Sequence, residues 1–246
     1  MAVIWRKELA TKRYEVRRAG NSLRLYTNGT FHSQFNSRRP FAGGIWDLLS
    51  LPALFLSPPP RRVLLLGVGG GAVICQLRQV LPRLELTGIE LDPVHLQIAR
   101  RFFGLKPSPD LQLIEADAIA WLRAYRGPAF DLIIDDLFVE NGGEPFRAVR
   151  VDKDWAGELL RCLNPAGALV INFESRRSLR ESALFSGKSH KGLPRIANGY
   201  SLSVPGYENR IAACFLSPVE RKTLDQNLAR LGPMARQLKA RIRRID

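Results

Sequence analysis

A short apolar run, Val63-Leu64-Leu65-Leu66, opens directly into Gly67-Val68-Gly69-Gly70-Gly71. A second run, Leu86-Thr87-Gly88-Ile89, ends in Glu90, 23 residues after Gly67. Few folds accommodate that pair. Glycines let a backbone turn sharply off a strand and approach a ligand closely, and a carboxylate ending the neighbouring strand can accept both hydroxyls of a ribose. The pair predicts half of a nucleoside pocket and an adenosine-containing ligand.

The surrounding pattern predicts the rest of a sheet. Apolar runs at 63–67, 84–90, 111–115, 130–135 and 167–173 alternate with helical patterns at 70–81, 93–103, 118–125 and 153–163. Buried strands alternating with helices mean a parallel sheet covered on both faces. Asp92-Pro93 is a capped helix start. Tyr200–Val204 and Arg210–Leu216, joined through Pro205-Gly206, predict an antiparallel hairpin at the sheet edge. Ser217-Pro218-Val219-Glu220 starts a helix that Gly232-Pro233 breaks. Beyond the break, Met234, Leu238 and Ile242 share one helical face, which predicts a basic amphipathic C-terminal helix. Upstream, Ala19-Gly20-Asn21 and Asn28-Gly29 lie between β-prone runs and predict hairpins over 12–36. Residues 41–56 read as a helix leading to Pro58-Pro59-Pro60. The expected organisation is a small β-hairpin domain over 1–40 and a Rossmann-like domain over 41–246.

Charge is spread unevenly. The net charge of +14 divides into 11 basic against 3 acidic residues over 1–62, 11 against 15 over 63–175, and 15 against 5 over 176–246. A solvated arginine-rich surface accounts for basic flanks, as does a polyanionic partner such as nucleic acid, although no RNA-binding motif accompanies them. Cys75, Cys162 and Cys214 are far apart and lack metal-like spacing, so reduced, buried thiols in a cytoplasmic protein are expected. The apolar stretch 41–56 is interrupted by Asp47 and Pro52, so no membrane span is expected. Residues 1–7 lack the order of a signal peptide. His32, His95 and His190 are scattered along the sequence; each is expected at the surface or in packing, and no metal is expected.

Ligands of open parallel sheets bind beyond the carboxyl ends of the strands, and four features fall there. Gly67, Gly69 and Gly71 bring backbone N–H groups near the amino-acid or phosphate portion of a ligand. Glu90 accepts from ribose. Asp117 is placed to accept an adenine amino group, and the Ala118 amide to donate to a ring nitrogen. Asp135 and Asp136 end the fourth strand, where a carboxylate can hold an ammonium or accept a proton. Asp135 is the first catalytic candidate and Asp136 the second. Gln34 and Asn172 are candidates for the acceptor side.

In that order and placing, the motifs resemble class I S-adenosylmethionine-dependent methyltransferases. Within that fold they are most similar to the spermidine synthase (aminopropyltransferase) family and its methyltransferase-like relatives. The resemblance runs over roughly 12–216 and includes Leu163-Asn164-Pro165-Ala166-Gly167 before the fifth strand. It implies a seven-stranded Rossmann-like sheet with a reversed last hairpin, preceded by a small β domain. It also implies a nucleoside donor held by Gly67, Gly69, Glu90, Asp117, Ala118 and Asp135, and a homodimer. Three departures stand out. The family's G-G-G-D-G-G turn carries an aspartate that grips the donor's aminopropyl ammonium; Gly70 stands in its place. Its D-S-x-D-P run is replaced by Asp135-Asp136-Leu137-Phe138-Val139, where Asp136 or Glu140 would have to substitute for the second aspartate. Its Y-H-E run on the entry helix is replaced by Gly44-Ile45-Trp46-Asp47. Each lost charge-assisted bond to a polyamine removes about 1.5–3 kcal/mol. The reading is therefore an S-adenosylmethionine-dependent methyltransferase acting on a small-molecule acceptor. Its rivals are an aminopropyltransferase using decarboxylated S-adenosylmethionine, and a non-catalytic nucleoside-binding protein with an anionic partner.

Overall fold

The computed structural model describes residues 1–81, 83–141, 144–186 and 192–245. The chain begins with a four-stranded antiparallel meander, β1 (Ala2–Glu8), β2 (Arg13–Ala19), β3 (Ser22–Thr27) and β4 (Thr30–Asn36). The expected hairpin turns are both present, at Gly20 and at Asn28-Gly29, where the left-handed backbone suits type I′-like tips. Strand β1, which carries Arg6 and Lys7 after its apolar residues, lies outside the predicted 12–36 span. In the β3–β4 pairing Leu25 faces Ser33 while Tyr26 faces Phe31, so His32 is an extra residue in a bulge. That bulge matters for the site, because it turns two successive side chains toward one face.

The expected helix over 41–56 is a short α1 (Ile45–Ser50) continued as a 3-10 turn over Leu51–Phe55, with Pro52 near its start. Asp47 Oδ1 accepts from Gln76 Nε2 at 2.8 Å and its Oδ2 from the Gly43 amide at 2.7 Å, while Ser50 Oγ donates to Gln76 Oε1 at 2.6 Å. This buried network ties α1 to α2 (Ala72–Val80).

The main sheet follows the expected strand–helix alternation. β5 (Arg62–Leu66) lies between β6 (Glu85–Glu90) and β8 (Phe130–Asp135); β7 (Leu111–Glu115) is outside β6, and β11 (Leu163–Phe173) is outside β8. All five are parallel. Helices α2, α3 (Pro93–Arg101), α4 (Ala118–Ala124) and α5 (Lys153–Arg161) make the crossovers. Alternate residues feed two separate cores: Val63 and Leu65 of β5 pack on one face, and Leu64 and Leu66 on the other. This is why the strand reads as an unbroken apolar run. The β2–β3 pair joins the first core through Tyr14, Val16 and Leu25, packing with Ile45 and Trp46 of α1. Between β8 and α5 lies a two-stranded ribbon, β9 (Phe138–Asn141) and β10 (Glu144–Arg147). Residues 176–181 form α6 (Arg176–Glu181), opened by a Ser175–Ser178 capping box.

The sheet's other half carries the expected reversed hairpin. β13 (Arg210–Phe215) runs antiparallel between β11 and β12 (Asn198–Ser203). The helix predicted from Ser217 starts later, as α7 (Arg221–Leu231), with Glu220 at its cap position. The predicted C-terminal helix is not formed. Gly232–Gln237 is a 3-10 turn, and β14 (Arg241–Ile245) adds an eighth strand antiparallel to β12. Ile242 and Ile245 have opposite parity, so one packs toward each core. Two β-branched residues satisfy a strand here, whereas the helical face needed Met234 and Leu238, which Pro233 separates from any continuous helix. Arg241, Arg243 and Arg244 are exposed, and charge along an outer strand opposes pairing with another chain. Cys75, Cys162 and Cys214 are buried and free, as expected. Among the described residues no helix is long and apolar enough to cross a membrane.

Candidate active site

A cavity of about 950 Å³ lies over the carboxyl ends of β5, β6 and β8 and under the β1–β4 sheet. Its floor is the glycine turn. Gly67 has φ +86°, and any Cβ there would run into the Asp136 carbonyl, so β8 crosses against the turn as closely as backbones allow. The turn's N–H groups were expected to face a ligand, but the protein uses them. Gly67 donates to the Ile89 carbonyl at 2.9 Å and Gly71 to that of Val68 at 2.8 Å. Val68 and Gly69 donate to Glu90 Oε2 at 3.0 and 2.7 Å. Gly70 donates to Ser33 Oγ at 2.9 Å. Gly69 lines the cavity with Gly67; Gly71 does not, because its Cα faces Leu105.

Glu90 also accepts from the Asp92 amide, at 2.9 Å on Oε1, and His95 Nδ1 lies 3.8 Å from that oxygen. Burial alone would raise this carboxyl; the nearby His95 and the Asp92 and Gly69 amides outweigh it and hold Glu90 below its ordinary value. Three amides leave one of roughly four lone-pair positions open, so the orientation of Glu90 is fixed before any hydroxyl arrives. Thr27 Oγ1 sits 2.9 Å from His95 Nε2. His32, turned inward by the β4 bulge, lies 5.2 Å from the His95 ring. Burial, then the neighbouring His95, lowers His32 to about 4. The two histidines expected to be scattered thus form one wall beside Glu90; His190 lies outside the described residues. Asp92 closes the same corner, accepting from Lys12 Nζ and Tyr14 OH, both at 2.7 Å. Burial would raise Asp92, but these bonds and His95 bring it down to about 2.

Asp117 caps α4: its Oδ1 accepts from Ile119 at 2.7 Å and Ala120 at 3.1 Å. Ala118 follows at the first helical position, where an amide has no intrahelical partner. Both line the cavity, as Glu90 does.

The two aspartates of β8 separate. Asp135 does not face the cavity; it is 0% exposed. Arg147 Nη2 and Trp155 Nε1 donate to its Oδ2 at 2.7 and 2.8 Å, and the Leu137 amide donates to Oδ1 at 3.3 Å. The expectation that Asp135 binds donor or acts first in catalysis is corrected: strand alternation points it away from the cavity, into a buried ion pair. Asp136 takes its place on the cavity wall. Asn172 Nδ2 donates to Asp136 Oδ1 at 2.7 Å, and Asn209 Nδ2 to Asn172 Oδ1 at 3.0 Å. Burial, reinforced by the charges of Asp135 and Glu90 and opposed by Asn172 and Arg147, lifts Asp136 to about 6. Asn172, expected on the acceptor side, lies on the cavity wall. Gln34 is not: it pairs with Arg24 on β4, outside the cavity, while its neighbour Ser33 points to the glycine turn.

Sequence reasoning missed Ser33, the His32–His95 pair, Arg147 and Trp155. Asn28-Gly29 fixes where β4 begins, but the bulge at His32 defeats simple alternation. Arg147 lies 12 residues from Asp135 with no motif linking them. Among the described residues no cluster of His, Cys, Asp and Glu could hold a metal.

Known proteins resemble this chain over most of its length. The model of the spermine/spermidine synthase domain matches residues 47–224. A polyamine aminopropyltransferase from Vibrio vulnificus is 31% identical over 141 residues, 56% of this chain and 46% of that protein. A probable spermidine synthase from Corynebacterium glutamicum superposes with a TM-score of 0.76 at 16% identity, covering 100% of this chain and 92% of that one. Human methyltransferase-like protein 13, solved in complex with SAH, gives 0.57 at 20% identity over 78% and 90%. The chain spans less than half the length of the first curated relatives it matches, which include eEF1A lysine and N-terminal methyltransferases beside polyamine aminopropyltransferases. With its glycine turn, its strand-end carboxylates and a family match over most of its length, the chain belongs to the spermine/spermidine synthase domain family.

Proposed function

We propose that this protein is an S-adenosylmethionine-dependent methyltransferase. The carrying observation is the packing around Gly70. A Cβ placed there would lie 2.8 Å from Ser33 Cβ and 3.0 Å from Phe103 Cζ. The position that carries an aspartate in aminopropyltransferases is thus filled by neighbours, and no carboxylate stands there to hold the ammonium end of a decarboxylated donor. The residues present suit a nucleoside: Glu90 is oriented by three amides, Asp117 Oδ1 is engaged while Oδ2 has no partner among the described residues, and the Ala118 amide stands at the first position of α4. Of the structures of similar fold, a spermidine synthase was solved with the transition-state analogue AdoDATO and human methyltransferase-like protein 13 with SAH, which supports the donor class.

When bound, the donor supplies a sulfonium methyl that is already activated. The protein's share is then placement and exclusion of water. The β1–β4 sheet roofs the cavity through Phe31 and His32, and Asp136 lies where it can orient or deprotonate an acceptor. Asp136 also favours a second reading, aminopropyl transfer, since that reaction needs a carboxylate for an amine. Calorimetric titration with S-adenosylmethionine and with its decarboxylated form separates them. Tighter binding of the intact donor supports methyl transfer; tighter binding of the decarboxylated form sinks the Gly70 reasoning. Binding of neither removes the donor site built on Glu90 and Asp117.

A further inference from the structure

We infer that the C-terminal edge of the main sheet is a nucleic-acid-binding surface that grips the phosphate backbone. This surface lies outside the cavity lining and is independent of which group is transferred there. From Gln226 to Ile245 the chain carries Arg230, Arg236, Lys239, Arg241, Arg243 and Arg244 and no carboxylate; Asp246 follows. All six basic side chains are exposed. Other surface arginines are held by carboxylates: Arg161, Arg177 and Arg221 pair with Glu158, Glu181 and Asp225. Among the described residues, none of the six has such a partner.

The strand sets the spacing. β14 is the outermost strand and pairs with β12 alone among the described residues. Side chains on one face of a strand recur about every 7 Å, so Arg241 and Arg243 stand about that far apart, on the face of Ile245. One strand of a stacked nucleic acid carries a phosphate about every 3.4 Å along its axis, so the two arginines meet every second phosphate. Arg244 projects on the opposite face, with Ile242. The three guanidinium groups therefore flank the free edge from both sides. Five of the six cations are arginine, whose planar fork takes two phosphate oxygens at once. Arg230, Arg236 and Lys239 extend the charge from the end of α7 through the turn that follows it. A charge or two suffices to discourage strand pairing; the run carries six.

A lipid surface suits this edge less well. Interfacial binding needs exposed apolar side chains beside the charge. Among the described residues, the large apolar side chains that are exposed fall between Met1 and Leu9, at Leu91, and on the β9–β10 ribbon, all away from this edge.

The test is fluorescence anisotropy with a labelled single-stranded RNA of about 20 nucleotides and the DNA of the same sequence, from about 50 to 200 mM salt. Both should bind with similar affinity, because phosphate contacts carry no base information. The logarithm of the binding constant should fall against that of salt with a slope of roughly −4, about −0.7 for each of six contacts. Arg241→Gln, Arg243→Gln and Arg244→Gln together should bring the slope to about −2 and weaken binding about 10²-fold near 0.1 M salt. Arg176→Gln, Arg177→Gln and Arg180→Gln on α6 remove the same charge elsewhere and should change binding less than about threefold. Should the edge variant lack a cooperative thermal transition, Arg236→Gln with Lys239→Gln, outside any strand, should still bring the slope to about −3. No binding at about 50 mM salt, or an equal loss in the α6 variant, would overturn the inference. So would competition by poly-glutamate or by phosphatidylserine vesicles as strong as that by unlabelled RNA, which would make an acidic protein or a lipid surface the partner.

Discussion

Asp135 and Asp136 are adjacent in sequence, yet the structure gives them opposite work, and paired substitutions separate the two. Asp135→Asn is nearly isosteric. It keeps an oxygen where Arg147 Nη2 and Trp155 Nε1 both donate, at 2.7 and 2.8 Å, but strands the Arg147 guanidinium without a counter-charge where that side chain is 4% exposed. Arg147 retains only the carbonyls of Asn172 and Val149, at 2.7 and 3.1 Å. Breaking one side of a buried pair typically destabilises by about 3–5 kcal/mol. At about 2–4 °C per kcal/mol for a chain of this size, the melting temperature should fall by roughly 10 °C. Donor affinity measured at 20 °C should stay within about twofold, since Asp135 does not reach the cavity. Asp136→Asn should do the reverse. It removes a buried charge and keeps the Asn172 hydrogen bond, so stability at pH 7 should rise by up to about 3 kcal/mol, the equivalent of the lift from 3.8 to about 6, while turnover collapses. Urea denaturation and thermal scans beside calorimetry decide it. An Asp135→Asn protein that melts within about 2 °C of the parent refutes the buried-pair account; one that folds normally but no longer binds donor returns Asp135 to the active site.

Other consequences are open to simple measurements. Ser33→Ala removes the acceptor for the Gly70 amide and should weaken donor binding roughly fivefold, about 1 kcal/mol, with kcat changed less than KM. Gly70→Ala should destabilise by about 1–3 kcal/mol, because its Cβ meets Ser33 and Phe103 at 2.8–3.0 Å; an unfolding midpoint unchanged in urea would show that the turn has slack. His32, lowered from 6.5 to about 4, is a base held neutral by burial: the unfolded chain binds the extra proton first, so its contribution is lost as pH falls from about 6.5 toward 4. His32→Gln should flatten that part of the stability profile in pH-dependent urea titrations. Asp136 and Asp47 act in the opposite sense: both are raised from 3.8 to about 6, so the folded chain holds their protons longer and stability declines as pH rises from about 4 to 6. For turnover, the ionised form of Asp136 is the competent one, and kcat should climb through about pH 6.

The parallel core was legible because its strands are buried on both faces and its turns are punctuated by glycine and proline; β5, β6, β8 and their helices fall within a residue or two of the expected limits. Glu90, Asp117 and Ala118 were legible for the same reason, since a strand end in such a sheet has only one place to be. What failed depends on registers that pattern does not encode. Asp135 and Asp136 differ by one step of alternation, and only the pairing of Leu66 with Asp135 across β5 and β8 fixes which one turns outward. His32 escaped because a bulge breaks the two-residue period, and Gln34 was misplaced by the same slip. The C-terminal strand escaped because Ile242 and its arginines satisfy a helical period as well as a strand; the choice is made by the free edge of β12, a tertiary fact.

The Ser33–Gly70 hydrogen bond joins two layers that are otherwise separate in sequence. Together with Lys12 and Tyr14 on Asp92, it makes the roof and floor of the cavity one mechanical unit. A ligand filling that space works as a strut. Its binding free energy becomes folding free energy for the β1–β4 meander, about 2.7 kcal/mol at a concentration one hundred times Kd. Amide exchange at Gly70 and along β4 should therefore slow together as the nucleoside is added. By the same linkage, a substitution in the meander that touches neither donor nor acceptor will still register as a weaker donor, because it loosens the roof against which the donor is held.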